Sequence, residues 1–153
     1  MRDVIIRPLT DFEAMRRFGV ACGLEDAGSD DETIVAAWGA YDGDRLVGSV
    51  ALEKLGALDT ANWLAVDDAY RRRGVAGDLY AALEREARAR GMLRLWVTAR
   101  APAFFLAQGY ECAPAGVESD TLLGGCLECE QYHRECEPMA LSKRLEGPDH
   151  PDR

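Results

Sequence analysis

The stretch Val66-Asp67-Asp68-Ala69-Tyr70-Arg71-Arg72-Arg73-Gly74-Val75-Ala76-Gly77 carries the most chemistry in this sequence. It joins an apolar run to the start of an amphipathic segment. A helix start leaves backbone N–H groups unpaired and carries partial positive charge, which suits a pyrophosphate. Gly74 and Gly77 remove side chains that would hold a phosphate away from the backbone. Arg71, Arg72 and Arg73 concentrate positive charge in a chain whose formal net charge is -9. Two readings stand: a phosphate-binding turn, or a solvated arginine cluster at an ordinary helix start. The Lys-Ser/Thr ending of a nucleotide-hydrolysing P-loop is absent.

A second group is Cys126-x-x-Cys129-x-x-x-His133-x-x-Cys136. Three thiols and one imidazole form a known tetrahedral zinc set, here at tighter spacing than the common zinc fingers. Structural zinc, thiols that bind a soft metalloid or act in redox chemistry, and plain packing in a loop are the three alternatives. Cys22 and Cys112 stand alone. The start, Met1-Arg2-Asp3-Val4, lacks the basic-then-apolar plan of a signal peptide, so a cytoplasmic protein with reduced thiols or metal-bound cysteines is expected.

The elements that must position these groups are legible in the periodicity. Val4-Ile5-Ile6 reads as a first strand closed by Pro8. Thr10 and Asp11 offer N-cap oxygens to a helix whose apolar positions are Phe12, Met15, Phe18 and Cys22. Ile34 to Tyr41 and Arg45 to Glu53 read as strands joined by the tight turn Asp42-Gly43-Asp44. In the second of these, Leu46, Gly48, Val50 and Leu52 alternate with Val47, Ser49, Ala51 and Glu53, apolar on both faces. A turn from Gly56 to Asp59 leads to a strand over Ala61 to Val66. From Gly74 to Arg90 the period becomes helical: Val75, Leu79, Ala82, Leu83 and Ala87 make the apolar stripe, with Asp78, Glu84, Arg85, Arg88 and Arg90 opposite. Gly91 is the C-cap candidate. Leu93, Leu95 and Val97 alternate as a strand, Pro102 to Ala107 reads as a short helix stopped by Gly109, Tyr110 opens a strand, and Met139 to Leu145 forms the last. The order predicts one α/β domain over residues 1–146, a mixed twisted β-sheet flanked by helices, with 147–153 as a flexible tail.

Composition bounds the partners. The chain is 153 residues long, 48% hydrophobic and 29% charged, which suffices for one continuous core. A balance of -9 argues against nucleic acid, because phosphate neutralisation needs a surplus of Lys and Arg. No apolar run is long enough to span a membrane. Excess negative charge favours solubility, or else cationic substrates.

Arg71-x-x-Gly74-x-Ala76, preceded by Leu64-Ala65-Val66, resembles the acetyl-CoA signature of the GNAT superfamily of N-acetyltransferases. The resemblance covers about residues 3–145 and implies a GNAT-like fold. The segment Leu95-Trp96-Val97-Thr98 followed by Ala103-Phe104-Phe105-Leu106-Ala107-Gln108-Gly109-Tyr110 is similar to the amino-acid and arsenic-resistance-associated branches. The resemblance implies direct transfer of an acetyl group from acetyl-CoA to a primary amine in a ternary complex. By the branch similarity the acceptor is a small amino-acid-like molecule. The backbone of Leu64, Ala65 and Val66 would bond the pantetheine arm. The amides of Arg71, Arg72, Arg73, Gly74, Val75, Ala76 and Gly77 would hold the pyrophosphate. The acceptor would enter where two strands splay, near Val66 and Val97. Edge strands of this fold pair between subunits, so a homodimer is a further implication.

An ammonium acceptor must lose a proton before it attacks. Glu53 is the candidate general base, since the family places a carboxylate near there; an exposed strand-end glutamate is the other reading. Asp67 and Asp68 come next, either as bases or as partners of the arginines beside them. The family's usual acid, a tyrosine four residues before the glycine of the last helix, is replaced by Phe105, which reads as a packing or cofactor-contact residue together with Phe104. Tyr110 or Tyr80 would have to substitute as acid, unless the coenzyme A thiolate leaves unaided. The missing tyrosine and the cysteine loop leave a second reading open: a non-catalytic acyl-CoA-binding or metal- and thiol-sensing module on the same fold.

Overall fold

The computed structural model describes residues 4–24, 31–99, 102–113 and 139–145. In chain order these form β1 (Ile5–Pro8), α1 (Phe12–Ala21), β2 (Ile34–Asp42), β3 (Arg45–Leu55), β4 (Leu58–Val66), α2 (Val75–Ala89), β5 (Arg94–Ala99), α3 (Pro102–Ala107), β6 (Glu111–Cys112) and β7 (Met139–Arg144). Short 3-10 turns at Asp31–Thr33 and Asp68–Tyr70 precede β2 and α2. The seven strands make one mixed sheet in the order β1-β2-β3-β4-β5-β7-β6. Every neighbouring pair is antiparallel except β4 with β5, which α2 connects as a parallel crossover. No helix among the described residues is long and apolar enough to cross a membrane.

Local chemistry explains the boundaries. The Asp11 side chain accepts from the Ala14 amide and starts α1. Gly43 at φ +64 and Gly56 at φ +61 turn the two hairpins, a conformation that costs residues with a Cβ. β4 begins earlier than the alternation indicated, at Leu58, because the tight Gly56 turn lets Leu55 pair with Leu58. Leu93 lies outside β5 and is 75% exposed, so only Leu95 and Val97 of that alternation reach the core.

Helices cover the sheet on both faces. α2 and α3 close one face, where Val75, Leu79, Tyr80, Leu83, Ala87 and Phe105 pack with Val50, Leu52, Leu95, Val97 and Leu141. α1 closes the other over β3 and β4, with Met15 packed among Leu9, Ala37, Ala51 and Trp63. Two glycines let the helices approach closely. A Cβ on Gly48 would lie 3.0 Å from Leu79 and 3.2 Å from Val75, and one on Gly19 would lie 2.7 Å from the Trp63 ring. With both faces covered, Val47 to Glu53 of β3 are all buried.

The polar side of α2 is not simply solvated. Glu84 accepts from Lys143 on β7 at 2.6 Å, from Arg88 at 3.2 Å and from the Tyr80 hydroxyl at 2.9 Å. The Tyr80 and Tyr110 hydroxyls lie 3.0 Å apart. One proton per hydroxyl makes this a chain from Tyr110 through Tyr80 to the Glu84 carboxylate. Burial by itself raises the Glu84 pKa, but the Lys143, Tyr80 and Arg88 donors outweigh it and hold the carboxyl below its ordinary value. A depressed folded-state pKa contributes stability above the unfolded value, which is lost as pH falls through the folded one. Glu84→Gln should therefore lower stability at neutral pH. Its deficit should shrink as pH drops below about 4.5, read from denaturation midpoints of both proteins across that range.

Candidate functional site

The site is built where the parallel pair opens. β4 and β5 share a single register pair, Thr60 with Trp96, although β4 continues to Val66 and β5 to Ala99. Beyond that rung the β5-facing edge of β4 has no register partner among the described residues.

A bulge in β4 sets up the opening. Ser49 pairs with Ala65 and Ala51 with Asn62, so Trp63 and Leu64 stand opposite the single residue Val50. Trp63 takes φ +56, a left-handed conformation that a bulky residue adopts only when its surroundings enforce it. Three contacts enforce it here. The Trp63 amide donates to the Asn62 side chain at 2.9 Å, the Ser49 hydroxyl donates to the Trp63 carbonyl at 2.7 Å, and the indole is 4% exposed beneath Gly19. Of the residues expected along the cofactor arm, Leu64 lies in the bulge without a partner, while Ala65 and Val66 pair with Ser49 and Gly48.

After Val66 the chain turns onto α2. Asp67 caps the 3-10 turn through the Ala69 amide at 2.9 Å and pairs with Arg45 at 3.1 Å. Asp68 pairs with Arg71 at 3.2 Å, and Arg71 also donates to the Val66 carbonyl at 3.3 Å. The two aspartates are thus occupied in fixing the turn. Arg73 lies 5.1 Å from the Tyr70 ring centroid, and Arg72 takes φ +65. Gly74, at φ +81, is the N-cap of α2 and offers no side-chain oxygen to its first amides. A Cβ at Gly74 or Gly77 would meet nothing within 4 Å, so the space before the helix is open. The Val75 side chain is buried in the core, which leaves only its amide to the turn. The result is an uncapped, positively polarised helix start fringed by arginines, which fits an anion such as a pyrophosphate.

Glu53 sits one strand away, opposite Thr60 in register. It is 6% exposed rather than lying at an open strand end. One carboxylate oxygen accepts from the Thr33 hydroxyl at 2.8 Å and the other from the Asn62 amide at 2.8 Å, while Thr60 donates to the Glu53 carbonyl at 2.7 Å. Thr33, Thr60 and Asn62 were not legible as site residues. The one signal was Asn62 itself, a residue with little preference for the middle of a strand.

The two aromatic candidates prove to be core residues. Phe105 is 7% exposed, its ring centroid 5.3 Å from those of Phe104 and Tyr110. Tyr110 is 3% exposed with its hydroxyl held by Tyr80, and burial pushes both phenols above the ordinary range. The short α3 turns these rings inward onto α2, where Phe105 packs against Tyr80 and Tyr110. Cys126, Cys129, His133 and Cys136 lie outside the described residues.

The acetyltransferase (GNAT) domain profile matches residues 33–112, just over half of the chain and the span that contains the turn, the bulge and Glu53. The chain belongs to the GNAT acetyltransferase family. No curated protein matches its sequence. Among solved structures it is similar to Mycobacterium tuberculosis Rv2747 in complex with CoA and NLQ, at 17% identity and TM-score 0.68, with 93% of this chain and 99% of that one covered. The Bacillus cereus IAA acetyltransferase aligns at 14% identity and TM-score 0.70 over 94% and 100% of the two chains. The Escherichia coli ribosomal-protein-S18-alanine N-acetyltransferase aligns at 14% identity and TM-score 0.64 over 97% and 99%. These structures share the fold, and the last two are named for different acceptors, so the architecture alone selects none.

Asn62 ties the bulge to the carboxylate, since it serves both Trp63 and Glu53. Asn62→Ala should lower folding stability by about 1–3 kcal/mol, the cost of leaving a buried carboxylate short of a donor, measured by urea denaturation.

Proposed function

We propose that this GNAT protein transfers an acetyl group from acetyl-CoA to a primary amine of a small molecule, directly and within a ternary complex. The observation that carries the reading is the uncapped N-terminus of α2, with Gly74 and Gly77 opening space beside it and the unpartnered edge of β4 leading to it. A pyrophosphate fits the first, and an extended amide-bearing arm can hydrogen-bond to the second as a short added strand. In this reading the amides around Gly74 to Gly77 hold the phosphates. The backbone of Leu64 to Val66 orients the arm, and an N–H in the bulge polarises the thioester carbonyl.

Glu53 is the proposed general base. The Thr33 hydroxyl that donates to it is half-buried, which gives an arriving proton a path to an otherwise enclosed carboxylate. Glu53 takes one proton from the acceptor ammonium, and the neutral amine then attacks the thioester carbon and forms the C–N bond. The C–S bond breaks with its electron pair on sulfur, and the second proton lost from nitrogen goes to the departing thiolate by way of water. The reaction is proposed without a metal, and the partners without nucleic acid. A cytoplasmic location and a homodimer are part of the same reading, as is a single domain over residues 1–146 followed by a tail.

A thermal-shift titration tests the cofactor. Acetyl-CoA at a hundredfold over its dissociation constant should add about 2.7 kcal/mol, a rise of several degrees. Gly77→Glu should abolish that shift without lowering the melting temperature of the unliganded protein. The added side chain meets nothing within 4 Å, and glutamate in the first turn suits a helix. An unchanged acetyl-CoA shift in this variant would remove the turn from the mechanism. Glu53→Gln should leave the acetyl-CoA shift intact and cut turnover by about 10²–10⁴-fold where the acceptor is protonated, with partial recovery at higher pH where the amine ionises unaided. A pH–rate profile that matches the unaltered enzyme would retire Glu53 as the base.

A further inference from the structure

The face of the sheet opposite α2 carries a polar row. Glu53, Thr60, Trp96 and Ser142 are successive register partners across β3, β4, β5 and β7. Their neighbours Leu52, Ala61, Leu95 and Leu141 all face the α2 core, so strand alternation turns the row to the other side. α1 covers that side over β3 and β4. On β5 and β7 the same side carries Arg94 directly opposite Arg144, both exposed.

Two like charges opposed on paired strands repel each other. Of the other arginines, Arg17 pairs with Glu13, Arg45 with Asp67, Arg71 with Asp68, Arg88 with Glu84 and Arg90 with Glu86, while Arg7, Arg72, Arg73 and Arg85 form no ion pair among the described residues. Arg94 and Arg144 form no ion pair among the described residues, and neither is joined to Glu111, the acidic residue opposite Ser142 on β6. Arg94 is nevertheless held in place. It donates to the Ser142 hydroxyl at 2.9 Å, and its guanidinium carbon lies 5.6 Å from the Trp96 ring centroid. An oriented guanidinium beside a second one is a receptor for a carboxylate, which it can bind through two parallel N–H bonds.

We propose that Arg94 and Arg144 bind a carboxylate on the acetyl acceptor, whose amine reaches past the Thr60–Trp96 rung to the opening between β4 and β5, on the side of Glu53. The inference rests on the acetyl-transfer reading and narrows its substrate class to amines that carry a carboxylate. Arg94 precedes Trp96, the paired residue nearest the opening, by one strand repeat, so carboxylate and amine are separated by at least about 7 Å. That span suits an amino acid or short peptide whose acid is several bonds from the reacting nitrogen, and it disfavours a plain alkylamine.

The probes are ω-amino acids of increasing chain length, each paired with its carboxamide, assayed for acetylation by mass spectrometry. The acids should be preferred over their amides by about tenfold or more in kcat/KM, with an optimum at an intermediate length. Arg94→Gln should raise KM for the acids about tenfold and leave kcat/KM for the amides and the acetyl-CoA thermal shift unchanged, with Arg144→Gln acting in the same direction. Arg94→Lys should recover part of the loss. Equal use of acids and amides, or an Arg94→Gln effect that falls equally on both, overturns the carboxylate site alone. Absence of transfer to any amine in the panel overturns the acetyl-transfer reading and this inference with it.

Discussion

The extra residue in β4 is the constraint on which the rest of the site depends. One bulged position, Trp63 at φ +56, shifts the register between β3 and β4. Left-handed backbone at a tryptophan costs on the order of 1–2 kcal/mol, so it must be held in place. The Asn62 amide oxygen, the Ser49 hydroxyl and the packing of Gly19 on the indole hold it from three directions. The rung with β5 at Thr60 lies before the bulge, and Val66 leads into the turn before α2 beyond it. The bulge thus stands between the paired part of β4 and the helix start.

Splitting the sheet in this way separates two kinds of chemistry. The N-terminus of α2 presents backbone dipoles and arginines, suited to phosphate. The opposite face presents Glu53, Trp96 and Arg94, suited to a zwitterion: a carboxylate for the amine, an aromatic surface between, and a guanidinium for the acid. The two meet only where β4 and β5 part. A donor and an acceptor approaching from opposite faces would be brought together there without competing for the same charges, which is what direct transfer requires.

The elements were legible in the sequence because their signals are local. Period fixed α1 and α2, glycines fixed the hairpins, and the Gly-rich helix start announced itself through spacing and charge. The bulges were not legible. Simple alternation in β3 assigned Leu46 to the face of Val50 and Val47 to the face of Ala51, yet Val47 packs in the α2 cluster and Leu46 against the α1 cluster. A register shift between Gly48 and Leu46 reverses the faces there. Residues brought together across strands carried no local signal either. Glu53 was visible as a carboxylate, but its donors Thr33 and Asn62 come from elsewhere in the chain, and only the register joins them. Tyr80 was likewise hidden, because a tyrosine beside an apolar stripe does not declare which side it takes; its burial follows from the aromatic cluster of Phe104, Phe105 and Tyr110.

That cluster also bears on the missing acid. With phenylalanine at the position where the family carries a tyrosine, a neighbouring phenol would have to protonate the departing sulfur. Tyr80 and Tyr110 are joined to each other and to Glu84, and burial raises the pKa of both. A raised pKa weakens a phenol as a proton donor, and breaking this chain would also take one donor from the half-buried Glu84 carboxylate. A thiolate, in contrast, leaves with a conjugate-acid pKa of about 8.5, within reach of solvent protonation near neutral pH. In the proposed reaction the difficult proton is the one on the incoming ammonium, and the buried carboxylate among the described residues is Glu53. In the proposed reaction, then, base chemistry is supplied where the proton is hard to remove, and acid chemistry is left to water where the leaving group needs little help.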